Sequence, residues 1–367
     1  MIEAIQADSL AIPFKQSFTH AAAARASTQA IWVTASGGGV VGYGEGCPRE
    51  YVTGESLGSA LTFVATHASI WCQDIRDLDD LKDWVRAHER EIDANPAAWT
   101  AVELALLDIF SKARGTAVES LLGLPPLKGQ FHYTAVLGDA PPKDFERQLT
   151  RYCQAGFRSF KIKLAGDAHR DLAKVQALQA VGIAPQSVRA DANNLWGDAD
   201  TAMAALQSLQ FQFFALEEPL RAGDYVGMAR MADTLDSKVI LDESMARPRQ
   251  LDDLPGTPER WLANLRVSKM GGLLRSLEFL KAARRKGVRV IVGAHVGETS
   301  LLTRAGLAAA AAAGDALVAQ EGAFGTHLLQ RDVVEAPLTF GAGGILDADA
   351  LALGKAPGWG LSICEAR

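Results

Sequence analysis

The chain contains four consecutive short runs at near-constant spacing: SFKIKL (159–164), SVRAD (187–191), FFALE (213–217) and KVILD (238–242). Each run contains at least two apolar residues and ends in or near a charged residue, and segments with helical periodicity (168–180 and 201–209) lie between them. Strands that alternate with helices indicate βαβ units and a parallel sheet. The order and spacing of these runs therefore predict an α/β fold.

The number of such runs selects the architecture. Four more have the same character, at 131–137, 262–267, 288–293 and 316–320. Eight strands fit a (β/α)₈ barrel, for which about 250 residues is typical. A doubly wound open sheet would need a nucleotide-binding turn, which the sequence lacks. We therefore expect a modified TIM-like (β/α) barrel over residues 125–325.

The regions flanking this barrel differ from it in pattern. Residues 30–34 and 40–44 surround a glycine-rich turn and predict a β-hairpin, and helical spacing follows from 56 to 122. We expect an N-terminal α+β capping domain over residues 1–124. The glycine-rich segment 326–367 is expected to return to this cap and complete it.

Charge and composition narrow the classes of partner. The net charge is −6, with 37 basic and 43 acidic residues, and 48% of the chain is hydrophobic. An acidic balance argues against a nucleic-acid partner. We find no signal peptide pattern and no apolar run of the roughly 20 residues that a membrane span needs. We therefore expect a cytoplasmic protein with neither a nucleic-acid nor a membrane partner.

Three acids end consecutive predicted strands: Asp191, Glu217 and Asp242, with separations of 26 and 25 residues. Strand ends of a barrel face the active-site mouth, so the three carboxylates should lie together. Close carboxylates repel one another unless a cation lies among them, and an all-oxygen set suits Mg²⁺. The alternative is that each acid is a solvated surface residue or a helix cap.

Two lysines lie on one face of the first of these strands. Lys161 and Lys163 are two residues apart, so both side chains should point into the barrel. Neighbouring ammonium groups lower each other's pKa, which a lysine base near pH 7 requires. The alternative, a pair of surface lysines on an edge strand, fits poorly because a closed barrel has no edge.

The residues that follow the strand-end acids have separate expected roles. Asn193 lies two residues after Asp191, so it should face the same way and contact a metal-bound water or the substrate. Glu218 and Glu243 directly follow two of the acids, so they should point elsewhere and serve as supporting or capping groups.

As a set, these motifs resemble those of the enolase superfamily, and within it the muconate-lactonizing enzyme and dipeptide epimerase branch of the mandelate racemase/muconate lactonizing enzyme family. The resemblance implies that Asp191, Glu217 and Asp242 hold one Mg²⁺ per active site. It also implies that Lys163 moves a proton at the substrate α-carbon, while Lys161 tunes Lys163 and neutralises a substrate carboxylate. The motifs that carry it are KIK (161–163), DAN (191–193), EEP (217–219), DES (242–244) and SKMGG (268–272).

Two positions depart from this branch. Arg266 occupies the place of a second lysine base, and arginine stays protonated, so it can act only as an electrostatic partner. His295 ends the seventh strand, where the mandelate racemase branch has a catalytic histidine, but Arg266 replaces the aspartate that would orient it. His295 is therefore either a catalytic or substrate-contacting group or a satisfied polar residue. Lys269 is either structural or substrate-binding. Glu321 ends the eighth strand, where relatives place a residue that contacts the substrate or an acid.

Because Arg266 replaces the second lysine base, reactions that need only one acid/base group fit this sequence most directly. We expect a lyase or a cycloisomerase similar to muconate cycloisomerase, acting on a small-molecule carboxylate through an enediolate. The alternative is a racemase or epimerase of amino-acid or dipeptide type, which needs a base on each face. More distant alternatives are a Schiff-base aldolase and a non-catalytic binding protein on the same fold. Cap residues His20, Arg25 and Arg49 are candidate substrate contacts, and a homo-oligomer is expected.

Overall fold

The computed structural model describes residues 2–20 and 23–364, with side chains at 2–15 and 25–364. An antiparallel sheet in the order β1-β4-β5 and a separate β2-β3 hairpin open the fold, and the predicted hairpin is confirmed by the β4–β5 pairing. These strands are β1 (Ala4–Leu10), β2 (Pro13–His20), β3 (Ala23–Ser27), β4 (Ala30–Gly37) and β5 (Val40–Gly46).

One cap helix lies directly on this sheet because β5 carries glycines where the two backbones meet. A Cβ on Gly44 would lie 1.8 Å from the carbonyl oxygen of Ala101, so only glycine permits this approach. The cap helices are α1 (Glu50–Thr53), α2 (Leu57–Asp74), α3 (Leu78–Ala87), α4 (Glu89–Ala94), α5 (Pro96–Ala113) and α6 (Val118–Leu122).

Eight parallel strands follow, in the order β14-β13-β12-β11-β10-β9-β8-β7. The strands after the cap are β6 (Gln130–His132), β7 (Ala135–Leu137), β8 (Phe160–Lys163), β9 (Val188–Asp191), β10 (Ala215–Glu217), β11 (Lys238–Leu241), β12 (Trp261–Leu265), β13 (Arg289–Val292) and β14 (Leu317–Gln320). The helices are α7 (Pro142–Gln154), α8 (Ala168–Ala180), α9 (Ala199–Ser208), α10 (Tyr225–Leu235), α11 (Val267–Met270), α12 (Leu273–Lys286) and α13 (Ser300–Ala313).

The sheet closes on itself beside its first strand. Tyr133 forms a parallel bridge with Gln320, and the Thr134 N–H donates to the Gln320 carbonyl at 2.8 Å. The predicted modified TIM-like barrel is therefore confirmed, with the cap domain at its N-terminus.

The predicted strand at 131–137 is wrong in one respect, because the structure divides it in two. Only β7 joins the barrel, whereas β6 pairs antiparallel with β15 (Ile345–Asp347) of the C-terminal segment. The apolar pattern runs through both halves because each is buried, although against different partners.

An apolar layer fills the lower part of the barrel. Ala215, Ile240, Leu262 and Ile291 form one buried cluster inside it. Each lies two residues before a strand-end position, so the residues at 217, 242, 264 and 293 point to the same interior. Glu217, Asp242 and Asn264 thus lie directly above this apolar layer.

The C-terminal segment contacts the cap as well as the barrel. The Trp359 N–H donates to Asp108 of α5 at 2.9 Å, and Gly358 bridges to Ala117 before α6. The division of the chain at residues 124 and 325 stays a prediction. In the described residues, no helix is both long enough and apolar enough to cross a membrane.

Candidate active site

The two lysines of β8 point into the barrel mouth, as expected, and contact the strand-end acids. The Lys163 ammonium donates to Asp191 Oδ2 at 2.5 Å and to Asn193 Oδ1 at 2.8 Å. The Lys161 ammonium lies 2.7 Å from Glu217 and 3.1 Å from Asp191. The structure therefore brings together four predicted site residues on three neighbouring strands, and Asn193 with them.

The electrostatic environment of Lys161 differs from the expectation. Burial opposes its charge, but Asp191, Glu217 and Glu321 together raise its pKa well above the ordinary value. Its third contact, Glu321 Oε2, lies at 3.0 Å. The predicted lowering of the pKa is therefore wrong for Lys161, because it contacts three carboxylates, whereas the sequence shows only its neighbouring lysine.

The strand-end acids influence one another strongly. Burial, followed by the charges of Asp191, Glu321 and Asp242, raises the pKa of Glu217 to about 7 despite the opposing effect of Lys161. Burial also acts against ionised Asp191, but Lys161 and Lys163 hold its pKa at about 2. The mutual repulsion expected of three close acids is thus present.

Arg266 and Lys269 both contact the third acid. Arg266 donates to Asp242 Oδ2 and lies 4.0 Å from Glu217. The Lys269 ammonium donates to Asp242 Oδ1 at 2.9 Å, to the Asp242 carbonyl at 2.6 Å and to the Asn264 carbonyl at 2.7 Å. All three ammonium hydrogens of Lys269 are thus used by the protein, which favours the structural alternative for this residue.

The three strand-end acids offer the oxygen ligands that a hard divalent cation prefers, but their side chains are not arranged around a common point. Asp191, Glu217 and Asp242 supply only carboxylate oxygens, and their repulsion is what a divalent cation relieves. No three His, Cys, Asp or Glu side chains in the described residues are arranged to hold a metal ion as they stand. Instead, Lys161 contacts two of the acids and Arg266 contacts Asp242, so a bound cation would have to share the acids with these groups.

Glu218 and Glu243 behave differently from each other. Glu218 accepts from the Asp242 N–H at 2.6 Å and from the Ser244 N–H and hydroxyl at 2.7 and 2.8 Å, so it fixes the loop after β11 as expected. The Oε2 atom of Glu243 is buried with no hydrogen-bond partner. Burial, Asp242 and Glu218 raise the pKa of Glu243 to about 8, and Arg266 and Asp191 also influence it. Glu243 is therefore a buried carboxyl close to the charges of the site, and its expected supporting or capping role stays a prediction.

Arg189 belongs to the site and was not predicted. It lies on β9 two residues before Asp191, is 2% exposed, and its guanidinium reaches Glu321 Oε1 at 3.1 Å. Glu321 is thereby held between Arg189 and Lys161, so both carboxylate oxygens already face a cation. The alternation of side chains on β9 could have indicated this position, because residues 189 and 191 share a face.

His295 is buried in the loop after β13, and neither of its ring nitrogens has a hydrogen-bond partner. Burial, followed by the charges of Arg266, Arg49, Lys269 and Arg25, lowers its pKa well below the ordinary value. Burial and these cations thus disfavour the charged imidazole, and Glu298 Oε1 lies 3.4 Å from Nδ1. The catalytic or substrate-contacting role of His295 stays a prediction.

The three cap candidates have different surroundings. Arg49 is buried and donates to the backbone carbonyls of Gln29, Pro48 and Val296, so its guanidinium holds the cap loops to the barrel loop. Arg25 lies 5.8 Å from the Tyr51 ring, and its Nε atom is buried with no hydrogen-bond partner. His20 ends β2, and its side chain lies outside the described residues.

The fold and the site define a barrel enzyme with a lysine pair facing carboxylates from the next three strands. Residues 144–367 match the family described as enolase C-terminal domain-like, and residues 1–123 match the N-terminal domain of the mandelate racemase/muconate lactonizing enzyme family. The chain belongs to the enolase superfamily, in the mandelate racemase/muconate lactonizing enzyme family. It is an enzyme.

Three similar proteins illustrate the range of this family. N-succinyl-L-Arg/Lys racemase of Bacillus cereus is 27% identical over 276 residues, which cover 73% of this chain and 72% of the relative. A dipeptide epimerase of Enterococcus faecalis, solved with Mg and the dipeptide L-Leu-L-Tyr, has a TM-score of 0.79 at 25% identity, covering 98% of this chain and 99% of that one. Muconate lactonizing enzyme of Pseudomonas putida has a TM-score of 0.81 at 22% identity, covering 99% and 97%, and shows the shared fold.

Proposed function

We propose that this protein is a Mg²⁺-dependent enzyme that removes the α-proton of a small carboxylate, with Lys163 as the base on one face. The position of the Lys163 ammonium carries this proposal. It lies at the end of β8, 2.5 Å from Asp191, and its side chain is 16% exposed, so a substrate in the mouth can reach it. Lys161 is 3% exposed and surrounded by acids, so it serves as a fixed cation and not as a base.

The remaining groups support this chemistry. Asp191, Glu217 and Asp242 would hold the metal, which when bound stabilises the negative charge that develops on the substrate carboxylate as the proton leaves. The relative solved with Mg supports the choice of metal. Asn193 orients the Lys163 ammonium through its 2.8 Å hydrogen bond. Lys161 balances the charge of the substrate carboxylate.

Racemisation or epimerisation of an amino-acid derivative is the reaction we propose. The names of the similar racemase and dipeptide epimerase support it over the lyase or cycloisomerase expected at first. One-base elimination or cycloisomerisation remains the second candidate, because Arg266 replaces the second lysine and cannot accept a proton.

We further propose a second anionic group on the substrate, facing Arg25. The guanidinium of Arg25 donates to Gln29 Oε1 through Nη1, but its buried Nε atom has no hydrogen-bond partner. The Arg49 guanidinium, by contrast, is already used by three backbone carbonyls. An N-succinyl amino acid carries such a group. The expected homo-oligomer and the cytoplasmic location stay predictions.

Proton exchange in D₂O tests the proposed function. N-succinyl-L-lysine, N-succinyl-L-arginine and L-Leu-L-Tyr would each be incubated with the enzyme and MgCl₂, and α-proton loss followed by NMR together with optical rotation. Exchange with inversion supports the racemase, and exchange with retained configuration supports the one-base alternative. EDTA should abolish exchange. Exchange that persists at full rate in EDTA would contradict the metal assignment.

The Lys163→Ala variant tests the base. Loss of a positioned acid/base group should slow exchange by about 10²–10⁴-fold. Lys143→Ala, an exposed lysine on α7, is the matched control and should exchange at the wild-type rate. Full activity of Lys163→Ala would remove this residue from the mechanism.

A further inference from the structure

Lys174 of α8 is a buried lysine that contacts the backbone of the proposed base. It is 3% exposed, and its ammonium donates to the backbone carbonyl of Lys163 at 2.7 Å and to Asp171 Oδ1 at 2.9 Å. Asp139 Oδ1 lies 2.9 Å from the same ammonium. A buried ammonium is costly unless it is paired, so these three partners together fix the position of Lys174.

The loop that follows Lys163 is held by the same helix. Asp171 lies one turn before Lys174 on α8, and its two carboxylate oxygens accept the Ala165 N–H at 2.8 Å and the Gly166 N–H at 2.9 Å. The carbonyl of the proposed base and two of the three amides after it are therefore bonded to side chains of α8.

Helix α8 also reaches the loop after β7. Asp139 of this loop accepts from Arg170 of α8 at 2.5 Å, in addition to its contact with Lys174. Lys174 thus joins α8, the loop after β7 and the backbone at the end of β8. The ammonium of Lys163, by contrast, contacts side chains at the end of β9 and in the loop after it. Backbone and ammonium of the proposed base are therefore held by separate sets of contacts.

We propose that Lys174, held by Asp171 and Asp139, is a positioning residue that fixes the backbone from which Lys163 reaches the substrate α-carbon; this inference rests on the proposed function. A lysine ammonium is carried on a flexible four-carbon stem, so its reach is defined only when the backbone at its root is fixed. Misplacement of a reacting group by about 1 Å can slow a reaction by about 10²-fold. The effect of Lys174 passes through Lys163.

Amide hydrogen exchange tests the hold on this loop without a substrate. Lys174→Met should speed amide exchange at residues 164–166 by about 10–10²-fold, the range that loss of a hydrogen bond to a charged group gives. Lys112 of α5 is the matched control, because its ammonium also donates to a carboxylate of its own helix, Asp108, and to a backbone carbonyl, that of Val41, both at 2.8 Å within the cap. Lys112→Met should leave exchange at 164–166 unchanged. Unchanged exchange in Lys174→Met would overturn the hold.

Proton exchange of each substrate enantiomer tests the effect on the base. With N-succinyl-L-lysine and N-succinyl-D-lysine in D₂O and MgCl₂, Lys163→Ala identifies the enantiomer whose α-proton this residue removes. Lys174→Met should slow exchange of that enantiomer by about 10–10²-fold, through kcat with KM nearly unchanged, and leave the other near the wild-type rate. Lys174→Arg keeps the charge and the hydrogen-bond donors, so it should restore exchange. Lys112→Met should match the wild type.

A milder variant keeps the test open if Lys174→Met does not fold. The Asp139 side chain is 26% exposed, so Asp139→Asn removes one partner of Lys174 with less loss of stability. It should slow the same enantiomer by a smaller factor. An equal effect on both enantiomers would contradict the proposal.

The possible results separate this inference from the proposed function. Equal slowing of both enantiomers by Lys174→Met, which a general loss of structure would give, or no slowing at all, would overturn the positioning role and leave the proposed function standing. If only one enantiomer exchanges, a fall in kcat supports the role and a rise in KM alone overturns it. Exchange at the wild-type rate by Lys163→Ala would contradict the proposed function itself, and the positioning role with it.

Discussion

At the scale of single residues, the barrel mouth contains buried cations and carboxylates that share contacts with one another. Lys161 contacts three carboxylates, and one of these, Glu321, is held from the other side by Arg189. Such buried ionic networks depend on every member, because removal of one leaves an uncompensated charge in a poorly solvated place. Lys161 and Arg189 thus share one carboxylate, that of Glu321.

Arg189→Met should destabilise the protein by about 3–5 kcal/mol, because the buried carboxylate of Glu321 would keep only Lys161, which Asp191 and Glu217 already share. Urea unfolding followed by circular dichroism measures this loss. Arg230→Met is the matched control, since its ion pair with Asp200 is exposed and worth about 0–1 kcal/mol. An equal effect of the two variants would show that the Arg189 network contributes no more than a surface pair.

Mg²⁺ should raise the thermal stability of the wild type, because a ligand that binds only the native state stabilises it. At a concentration of 100 times Kd the gain is about 2.7 kcal/mol. Asp242→Asn should lose most of the Mg²⁺-dependent shift in melting temperature, whereas the exposed control Asp200→Asn should keep it. A shift of equal size in Asp242→Asn would contradict the proposed metal ligands.

At the scale of whole elements, buried acids of the cap bind the N-termini of barrel helices. Glu45 of β5 accepts from the Thr299 N–H at 3.0 Å, the Thr299 hydroxyl at 2.6 Å and the Leu302 N–H at 3.2 Å at the start of α13. Glu103 of α5 accepts from the Leu274 N–H at 3.0 Å at the start of α12. The N–H groups in the first turn of a helix have no partner within that helix. Carboxylates of the cap therefore accept the hydrogen bonds that the first turns of α12 and α13 cannot make internally.

Glu45→Gln should change the pH dependence of stability. Burial raises the pKa of Glu45 to about 7, so the folded state binds this proton more tightly than the unfolded state. The contribution is fully present below pH 4.5 and is lost as the pH rises towards 7, a change of about 3 kcal/mol. The glutamine variant should therefore gain stability relative to the wild type over this range, as measured by urea unfolding at several pH values. A constant difference would show that Glu45 ionises normally.

At the scale of the whole molecule, one arginine joins three regions of the chain. Arg304 of α13 forms a buried double hydrogen bond with Glu119 of α6, at 2.6 and 2.9 Å, and donates to the Trp359 carbonyl at 2.9 Å. Barrel, cap and C-terminal segment therefore share one buried ion pair, and we expect them to unfold together.

Arg304→Met should cost about 3–5 kcal/mol, because Glu119 would be left charged and buried. Four of the seven tryptophans, Trp32, Trp71, Trp84 and Trp99, lie in the cap, so tryptophan fluorescence weights cap unfolding more heavily than circular dichroism, which reports on the whole chain. The two transitions should coincide in the wild type. Arg147→Met, which removes an exposed pair with Asp144, is the control. Separate transitions would show that cap and barrel unfold independently.

Much of this fold could be predicted from the sequence. Helix α8 was predicted with its observed bounds, the strand ends at Asp191 and Glu217 were predicted in place, and the end of β8 at Lys163 was predicted to within one residue. These features are local, because the alternation of side chains and the polarity of a strand follow from neighbouring residues. The split of residues 130–137 could not be predicted in this way, since it depends on pairing with Ile345–Asp347 more than 200 residues later.

By itself, the sequence determined that eight strands would carry lysines and acids to one end of a barrel, because strand direction and side-chain parity are local properties. Only the tertiary structure decided which charges meet. Lys161 is paired with Glu321, which is 160 residues away, so its pKa rises where the neighbouring lysine alone would lower it. His295 likewise faces Glu298, because the path of a loop, and no strand pattern, brings that carboxyl to the ring. The physical reason is that ionisation depends on burial and on distances between groups, which folding alone sets.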